Sequence, residues 1–254
     1  MPAFIPVPLS ASTRGVARLI GILAFLCLLT GQVSAVRADH GPHTWQAAAE
    51  SIVIILPTWK GYSRPGFGAP PGVAPEGSGI IIAVTAGTKS RYVLTAAHVV
   101  SKAVEISIRD HDGAEEPAEI VVLDEARDLA VLKTEQARHG LLPHADAPDI
   151  GSHACVIGNS FGLGLSFSCG VVSATGRKGI GFNAIEDFIQ TDAAVNPGAS
   201  GGALVDSQGA LIGMVDGIFT KEADIDAGVN FAVSGALIAE RLSHWRAEGV
   251  LAGQ

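Results

Sequence analysis

The chain has 254 residues, of which 48% are hydrophobic and 17% are charged, and its formal net charge is −8 at pH 7. This composition is typical of a globular protein and excludes an intrinsically disordered chain. The excess of acidic residues argues against a nucleic-acid partner, because the phosphate backbone binds basic surfaces.

The N-terminal segment predicts a secretory signal peptide over residues 1–38. No acidic residue precedes Asp39, and Arg14 and Arg18 come before the short apolar run 19–29. An Ala-x-Ala-like cleavage site follows the run. An uncleaved membrane anchor is the alternative, but the run is shorter than the ~20 residues of a spanning helix. Cleavage would leave 216 residues and change the net charge from −8 to −11, because three arginines are lost. We therefore expect a periplasmic or secreted protein without a membrane span in its mature form.

Short segments rich in Val and Ile alternate with turn residues beyond residue 50. Two sets of about six such segments, at about 50–135 and 150–235, flank a polar, Pro-containing connector at 134–150. Short strands at this spacing predict an all-β protein built from two antiparallel, six-stranded barrels or sandwiches.

Turn and capping residues mark the ends of several predicted elements. The sequence Asp206-Ser207-Gln208-Gly209 predicts a hairpin turn, and the Pro/Gly-rich stretch 60–78 predicts an irregular loop. Only the C-terminal segment has a helical pattern: Ser234 can cap a helix over about 235–249. Its apolar face would carry Leu237, Ile238, Leu242 and Trp245.

Two of the three cysteines are candidates for a disulfide. Cys27 lies in the predicted signal, whereas Cys155 and Cys169 flank a segment centred on Gly162. A hairpin around Gly162 would place the two cysteines opposite each other in a compartment that permits disulfides. The alternative is two separate thiols.

Ser200 lies in the glycine-rich sequence "NPGASGG". A serine hydroxyl attacks a carbonyl only with a base within reach and with donors for the oxyanion that forms. Glycines let successive N–H groups turn toward one point. Residues 198–202 also match the G-x-S-x-G nucleophile elbow, but that motif requires a helix after the serine, and here a hairpin pattern follows. A Gly/Ser-rich loop without chemistry is the other reading.

Two upstream residues are candidate partners of this serine. His98 ends the apolar segment "YVLTAAH", and Asp128 directly precedes the apolar segment "LAVLK". The chain order His98, Asp128, Ser200 is that of the chymotrypsin triad. Asp124 competes for the acid role, and the place of Asp128 immediately before the strand favours Asp128. A buried structural histidine is the alternative for His98.

Several longer motifs carry a resemblance to a known family over about residues 77–235. "LTAAH" and "SGG" resemble the trypsin-like serine peptidases, and "GSGIII", "IGNSFGLG", "IQTDAAVNPGASGGALVD" and "VNFAVS" resemble their HtrA/Deg-type branch. The resemblance implies the two-barrel chymotrypsin-like fold with an active site in the cleft between the barrels. It also implies a serine endopeptidase that acts on polypeptides and needs no cofactor or metal.

The family's catalytic roles carry over to matching positions of this chain. Ser200 is the expected nucleophile, and His98 is the expected general base and then general acid. Asp128 would orient His98 and stabilise its charged form. The backbone N–H groups of Gly198 and Ser200 would form the oxyanion hole.

The substrate-binding positions are also implied by the resemblance. The residue six before the nucleophile lies at the base of the primary pocket, and here it is an alanine rather than an aspartate. The strand at 214–217 should pair with the substrate backbone, and 230–233 should line another wall. We therefore expect cleavage after small or medium aliphatic residues of unfolded proteins. The substrate-binding residues implied are Ala194, Val195, Val215, Asp216, Gly217 and Phe231.

The chain departs from the family pattern in three ways. Ala199 has neither the aspartate of digestive members nor the asparagine common in the HtrA branch, which leaves the support of the oxyanion loop open. The chain ends soon after Gly249, so we expect no PDZ domain and no regulation through one. The family's N-terminal segment often builds a trimer, and a homotrimer is therefore a candidate assembly. Aromatic residues available for such contacts are Trp45, Trp59, Tyr62 and Phe67.

Two other functions stay open at this point. A peptide-binding or holdase protein with weak turnover is compatible with the unusual Ala199, although the triad argues against it. A serine esterase would use the same nucleophile. Labelling by a fluorophosphonate would be shared by a peptidase and an esterase, whereas degradation of casein would separate them.

Overall fold

The structure is a computed structural model in which residues 40–60, 76–83, 85, 87–218 and 228–251 are described. The predicted signal peptide lies outside these residues, as do Cys27 and most of the predicted loop at 60–78 with Tyr62 and Phe67. The described residues form two closed antiparallel barrels of six strands each and end in a helix. The predicted fold class is therefore confirmed.

The first barrel has the strand order β1-β2-β3-β6-β5-β4 and closes where β1 pairs with β4. Its interior is filled by branched side chains without solvent contact, among them Ile52, Ile80 and Leu94. Apolar residues at alternate positions of these strands face this interior. A strand buried on both faces, such as β1, is apolar at successive positions, and both patterns are visible in the sequence. The strands are β1 (Ile52–Trp59), β2 (Gly77–Ile81), β3 (Lys89–Ala96), β4 (Ala103–Arg109), β5 (Glu115–Asp124) and β6 (Leu129–His139).

The second barrel has the order β10-β11-β12-β9-β8-β7 and closes where β10 pairs with β7. The predicted hairpin turn joins β10 to β11, because the Asp206 N–H donates to the Ala210 carbonyl at 3.0 Å and the Gly209 N–H donates back to Asp206 at 3.1 Å. The strands are β7 (His153–Gly158), β8 (Ser166–Arg177), β9 (Phe188–Thr191), β10 (Ala203–Val205), β11 (Leu211–Ile218) and β12 (Asn230–Ser234).

The connector between the barrels begins later than the sequence predicts. Residues 134–139 continue β6, and its last residue, His139, is still paired with β3. The carboxylate of Glu116 on β5 accepts the N–H groups of Glu135 and Gln136 at 2.9 and 3.0 Å. A buried acid from the neighbouring strand thus holds a polar stretch that has no β pattern of its own.

The prediction that only the C-terminal segment is helical is wrong. Helix α1 (His40–Ala48) precedes β1, and a single turn, α2 (Ala97–Val100), follows β3. The Thr44 hydroxyl donates to the Ser207 carbonyl at 3.0 Å, and the rings of Trp45 and Phe167 meet edge to face at 5.9 Å. These contacts with the second barrel hold helix α1 in place.

The C-terminal helix α3 (Gly235–Ala247) begins as predicted. The Ser234 side chain accepts the Leu237 N–H at 3.1 Å. Ile238, Leu242 and Trp245 are buried, whereas Leu237 is only half-buried. Among the described residues, no helix is long and apolar enough to cross a membrane.

Candidate active site

The histidine and the aspartate are brought together by the pairing of β3 with β6. Ala96 and Leu129 are cross-strand partners, so the turn α2 after β3 lies beside the residue that precedes β6. Nδ1 of His98 lies 2.6 Å from Oδ2 of Asp128, and the His98 N–H donates to Oδ1 at 2.8 Å. Because an ionised carboxylate only accepts hydrogen bonds, Nδ1 carries the hydrogen and Nε2 is left as the base.

The backbone of Asp128 is held in an unusual conformation. Its φ is 54°, in the left-handed region, and its carbonyl accepts the Ala97 N–H at 3.1 Å. The competing acid, Asp124, is instead paired with Arg127 at 3.0 Å and with Arg241 at 3.6 Å. The structure therefore brings Asp128, and not Asp124, to His98.

The pairing shifts the protonation of His98. Partial burial lowers its pKa, but the hydrogen bond from Nδ1 and the negative charge of Asp128 outweigh this, with a further contribution from Asp216. The pKa of His98 is raised above its usual value. The ring remains accessible, with 52% of its side-chain surface exposed. An exposed imidazole with a buried carboxylate behind it suits a general base.

Ser200 lies on the loop between β9 and β10, at the end of β3. A Cβ on the next residue, Gly201, would come within 2.5 Å of the Thr95 hydroxyl. The Ser200 hydroxyl donates to the Asp216 carbonyl at 3.1 Å. No hydrogen bond between Ser200 and His98 occurs in the described part of the chain, so the hydroxyl must release the Asp216 carbonyl before it can donate to the imidazole.

Two amide groups beside the serine are available as donors. Gly198 has a φ of +95°, and a Cβ there would lie 2.4 Å from the Asn159 carbonyl oxygen. Within the described ranges, the N–H groups of Gly198 and Ser200 form no hydrogen bond. An oxyanion hole requires N–H groups that are free to donate beside the nucleophile.

A serine that the sequence reasoning missed supports this loop from the first barrel. The Ser78 hydroxyl donates to the Gly198 carbonyl at 2.8 Å and accepts the Asn159 N–H at 2.8 Å. The Ser78 N–H donates to the Ser200 carbonyl at 2.9 Å. The "GSG" sequence around Ser78 was visible as part of a family motif, but its contact with a loop 120 residues away was not.

Ala199 has a structural role of its own in the loop. Its side chain is fully buried in an apolar cluster with Leu204 and Ile212, and its N–H donates to the Asn196 carbonyl at 2.9 Å. Packing and the bonds from Ser78 thus support the loop without a side-chain amide at this position.

The predicted substrate-binding positions differ in what they expose. Ala194 is exposed and Gly217 is half-buried, whereas the side chains of Val195 and Val215 lie in the apolar core of the second barrel. Phe231 is buried, 5.6 Å from the ring of Phe182. The segment 219–227 lies outside the described residues, and the pocket assignment stays a prediction.

The Asp216 side chain lies beside His98 and Asp128. The register of β11 against β12 shifts between Val215 and Gly217, and this bulge leaves Asp216 out of the ladder. A bulge commonly redirects a side chain next to an active site. The carboxyl is buried and accepts the Asn183 amide N–H at 2.7 Å. It lines a cleft of about 510 Å³ together with His98 and Asp128.

The loop before β9 forms one wall of this cleft and is organised by a carboxylate. Glu186 accepts four backbone N–H groups at 2.7 to 3.2 Å. Burial raises the pKa of Glu186, but these bonds outweigh it and lower the pKa below its usual value. The sequence contains no signal for this role. The four donors are Ile180, Gly181, Phe182 and Asn183.

The two candidate cysteines are joined in the structure. Cys155 and Cys169 are directly opposite in the β7–β8 ladder, their Cα atoms are 4.1 Å apart, and their sulfur atoms are bonded. The described residues contain two groups of possible metal ligands, one around this disulfide with His153 and one formed by His98, Asp128 and Asp216. In the first group the sulfurs are bonded to each other, and in the second His98 and Asp128 are paired.

The fold agrees with that of known proteins. A model of the trypsin-like peptidase domain matches residues 77–214. The chain belongs to the family of trypsin-like peptidase domains. Within this family it is similar to Deg/HtrA-type proteins.

Three relatives illustrate this similarity. The periplasmic pH-dependent serine endoprotease DegQ of Escherichia coli is 39% identical over 160 residues, which are 62% of this chain and 34% of DegQ. A probable periplasmic DegP-like serine endoprotease of Chlamydia trachomatis is 40% identical over 171 residues, 66% of this chain and 33% of the relative. A structure of the HtrA-type protease AlgW with a tripeptide has a TM-score of 0.71 at 35% identity and covers 82% of this chain and 64% of AlgW. The chain thus spans about a third of the length of the curated relatives it matches.

Proposed function

We propose that this chain is a serine endopeptidase that uses Ser200, His98 and Asp128. The observation that carries the proposal is the paired His98 and Asp128, with Nδ1 2.6 Å from Oδ2. In the described part of the chain, the N–H groups of Gly198 and Ser200 are also without a hydrogen-bond partner. Membership of the trypsin-like peptidase family supports the same reaction class.

The first half of the reaction forms an acyl-enzyme. Nε2 of His98 takes the proton of the Ser200 hydroxyl while Oγ attacks the substrate carbonyl. The N–H groups of Gly198 and Ser200 bind the oxyanion, and Asp128 stabilises the imidazolium. His98 then gives its proton to the leaving amine. In the second half, a water molecule attacks the ester with His98 again as base. The bond to Oγ of Ser200 then breaks, His98 returns the proton to Oγ, and the product acid leaves.

Substrate binding supplies the rotation that Ser200 needs. The Asp216 carbonyl accepts the Ser200 hydroxyl at 3.1 Å and lies at a bulge, outside the β11–β12 ladder. An extended peptide that donates its own N–H to this carbonyl would compete with the hydroxyl. The released hydroxyl would then turn to His98, so binding and activation of the nucleophile are linked.

We propose cleavage after small or medium aliphatic residues. Ala194 has no charge to hold a guanidinium or ammonium group, and the Asp216 carboxyl is already engaged by Asn183 beside Asp128. A buried cation without a partner would be costly, whereas an aliphatic side chain leaves no polar group unpaired. Mapping of cut sites in a denatured proteome tests this, and a dominant Arg or Lys preference would contradict it.

The decisive experiment is a digest of casein by the purified protein beside its Ser200→Ala variant. We expect the variant to lose about a million-fold in kcat, because the triad members act as a unit. Cleavage of casein by Ser200→Ala at the wild-type rate would remove the proposal.

A holdase with weak turnover is favoured by one observation, the absence of a Ser200–His98 hydrogen bond in the described residues. It predicts binding of casein without fragments and slow fluorophosphonate labelling. Rapid labelling without casein fragments would instead indicate an esterase.

We further propose export to the periplasm and assembly into a homotrimer. Curated relatives are named as periplasmic, and the sequence has a signal-like N-terminus. Among the aromatic candidates for trimer contacts, Trp45 already packs on Phe167, and Lys102 lies 5.7 Å from the Trp59 ring. Light scattering of the purified protein measures the assembly state, and a monomeric mass would contradict the trimer.

A further inference from the structure

A second acid lies beside the catalytic pair. Asp216 is only 6% exposed, and its carboxyl, the Asp128 carboxyl and a ring nitrogen of His98 all lie within 4.8 Å of one another. Asp128 is equally buried, at 6% exposure. The triad reaction as described above needs one acid, so the second requires its own explanation.

Two buried carboxyl groups in contact cannot both be ionised without a large cost. Asp128 accepts both the Nδ1–H and the backbone N–H of His98, whereas Asp216 accepts one N–H from the neutral amide of Asn183. The negative charge is therefore better stabilised on Asp128, and the shared proton belongs on Asp216. Burial, followed by the charge of Asp128, raises the pKa of Asp216 to about 7, although Asn183 and His98 oppose the shift.

We propose that Asp216 is a positioning residue of the triad whose neutral carboxylic acid donates a hydrogen bond to the Asp128 carboxylate. In this form it fixes Asp128 against His98 without adding charge. Its ionised form adds a second negative charge and makes His98 more basic. The inference rests on the proposed peptidase function and adds to it a second proton site beside the triad.

Few other charged groups face Asp216 from the neighbouring elements. The turn α2 contributes His98, and the β5–β6 turn contributes Asp128 and, at the rim of the cleft, the exposed Glu125. The loop before β9 contributes the neutral Asn183. The pH response of the site is therefore expected to follow His98 and the two aspartates as one coupled system.

The kinetic test is the pH dependence of kcat/KM on a quenched peptide for the wild type, Asp216→Asn and Asp216→Ala. Without the second carboxyl, the imidazolium is less stabilised, so the acid limb of both variants should move to lower pH by about one pH unit. Asp216→Asn keeps a donor toward Asp128 and should retain more of kcat than Asp216→Ala, which should lose roughly tenfold. Glu125→Gln removes an exposed carboxyl from the same cleft and should leave the acid limb in place.

A purely structural or substrate-binding role would give a different result. A purely structural role would lower the melting temperature of the variants without moving the acid limb of the pH profile. A substrate-binding role would raise KM without moving that limb. Asn183→Ala is a second variant on a surface loop: it removes the one donor to Asp216 and favours its neutral form. It should therefore move the limb in the same direction, by less. Superimposable profiles for the wild type and Asp216→Asn would overturn the inference.

Proton NMR of the His98 ring separates this inference from the peptidase proposal, since it needs no turnover. The ring signal, identified by its loss in His98→Gln, should titrate at lower pH in Asp216→Asn than in the wild type. That shift without any peptide cleavage would retain the positioning role and reject the peptidase. Cleavage with unchanged titration would retain the peptidase and reject the positioning role.

Discussion

A single buried carboxyl couples the stability of this protein to pH at the residue scale. Asp216 has almost no access to water, and its pKa is raised from 3.8 to about 7 by burial and by the charge of Asp128. The folded chain therefore binds this proton more tightly than the unfolded chain. The associated stabilisation is complete below pH 3.8 and is lost as the pH rises toward 7.

Asp216→Asn should consequently stabilise the protein at alkaline pH. Above pH 7 the wild type must keep an ionised Asp216 buried, whereas the amide stays neutral at every pH. We expect the variant to gain on the order of 2–4 kcal/mol in the free energy of unfolding at pH 8 and progressively less toward pH 4. Denaturant melts at both pH values, in a Ser200→Ala background to prevent self-cleavage, measure this. An equal change at pH 4 and pH 8 would contradict the assignment.

At the scale of elements, local hydrogen bonds and a disulfide hold the loops and hairpins that carry the site. Glu186 gathers four N–H groups of the loop that holds Phe182 and Asn183 against the cleft. The disulfide joins β7 to β8 within the ladder of a hairpin whose loop brings the Asn159 carbonyl close to Gly198. Neither loop has a regular hydrogen-bond ladder, so such contacts decide how well it is ordered.

Glu186→Gln should loosen the loop at 180–183. The amide has one oxygen instead of two and no charge to strengthen the bonds. Because the pKa of Glu186 is lowered, its contribution in the wild type is present above pH 4.5 and is lost as the pH falls through its folded-state value. Hydrogen exchange at pH 7 should show faster exchange at these four amides. The matched control is Glu119→Gln, an exposed acid on β5, which should leave them protected.

Removal of the disulfide should destabilise the protein without abolishing the fold. The bond closes a loop of about 15 residues. A cross-link of this length lowers the entropy of the unfolded chain and so stabilises the folded protein by ~3 kcal/mol. The variant Cys155→Ala/Cys169→Ala should lose this amount in the free energy of unfolding, and intact-mass analysis after alkylation of the native mature wild type should find neither Cys155 nor Cys169 modified. Two alkylated thiols in the native protein would count against the bond.

At the scale of the whole molecule, the site exists only because two barrels meet. His98 and Asp128 come from the first barrel, whereas Ser200 and Asp216 come from the second. Ser78 joins them, since its hydroxyl and its N–H both bind the loop that carries the serine. The alignment of base and nucleophile therefore depends on contacts between the barrels.

Ser78→Ala should weaken catalysis more than substrate binding. The Gly198 carbonyl and the Asn159 N–H would lose a fully buried partner, and the oxyanion loop would lose its alignment. We expect kcat to fall roughly 10- to 100-fold with a smaller change in KM. Ser90→Ala is the matched control, because that buried hydroxyl accepts an N–H from Tyr92 of its own strand. Equal losses in both variants would assign the effect to general destabilisation.

Short-range patterns were sufficient to predict much of the architecture and to select the candidate catalytic residues. The strand segments, the turn at Asp206 and the cap at Ser234 follow from local apolar periodicity and from backbone preferences. The candidate triad followed from chain order and from motifs around His98, Asp128 and Ser200. These signals are readable because each depends on a few neighbouring residues.

Contacts between distant segments were decided only by the tertiary structure. The extension of β6 rests on Glu116 from the next strand, and helix α1 rests on the second barrel. The role of Asp216 depends on a bulge at one position of β11, since a shift of one residue turns a side chain to the other face of a strand. Closure of the barrels sets that register. It also brings Ser78 to a loop 120 residues away. Neither the register nor this contact can be predicted from a local sequence pattern.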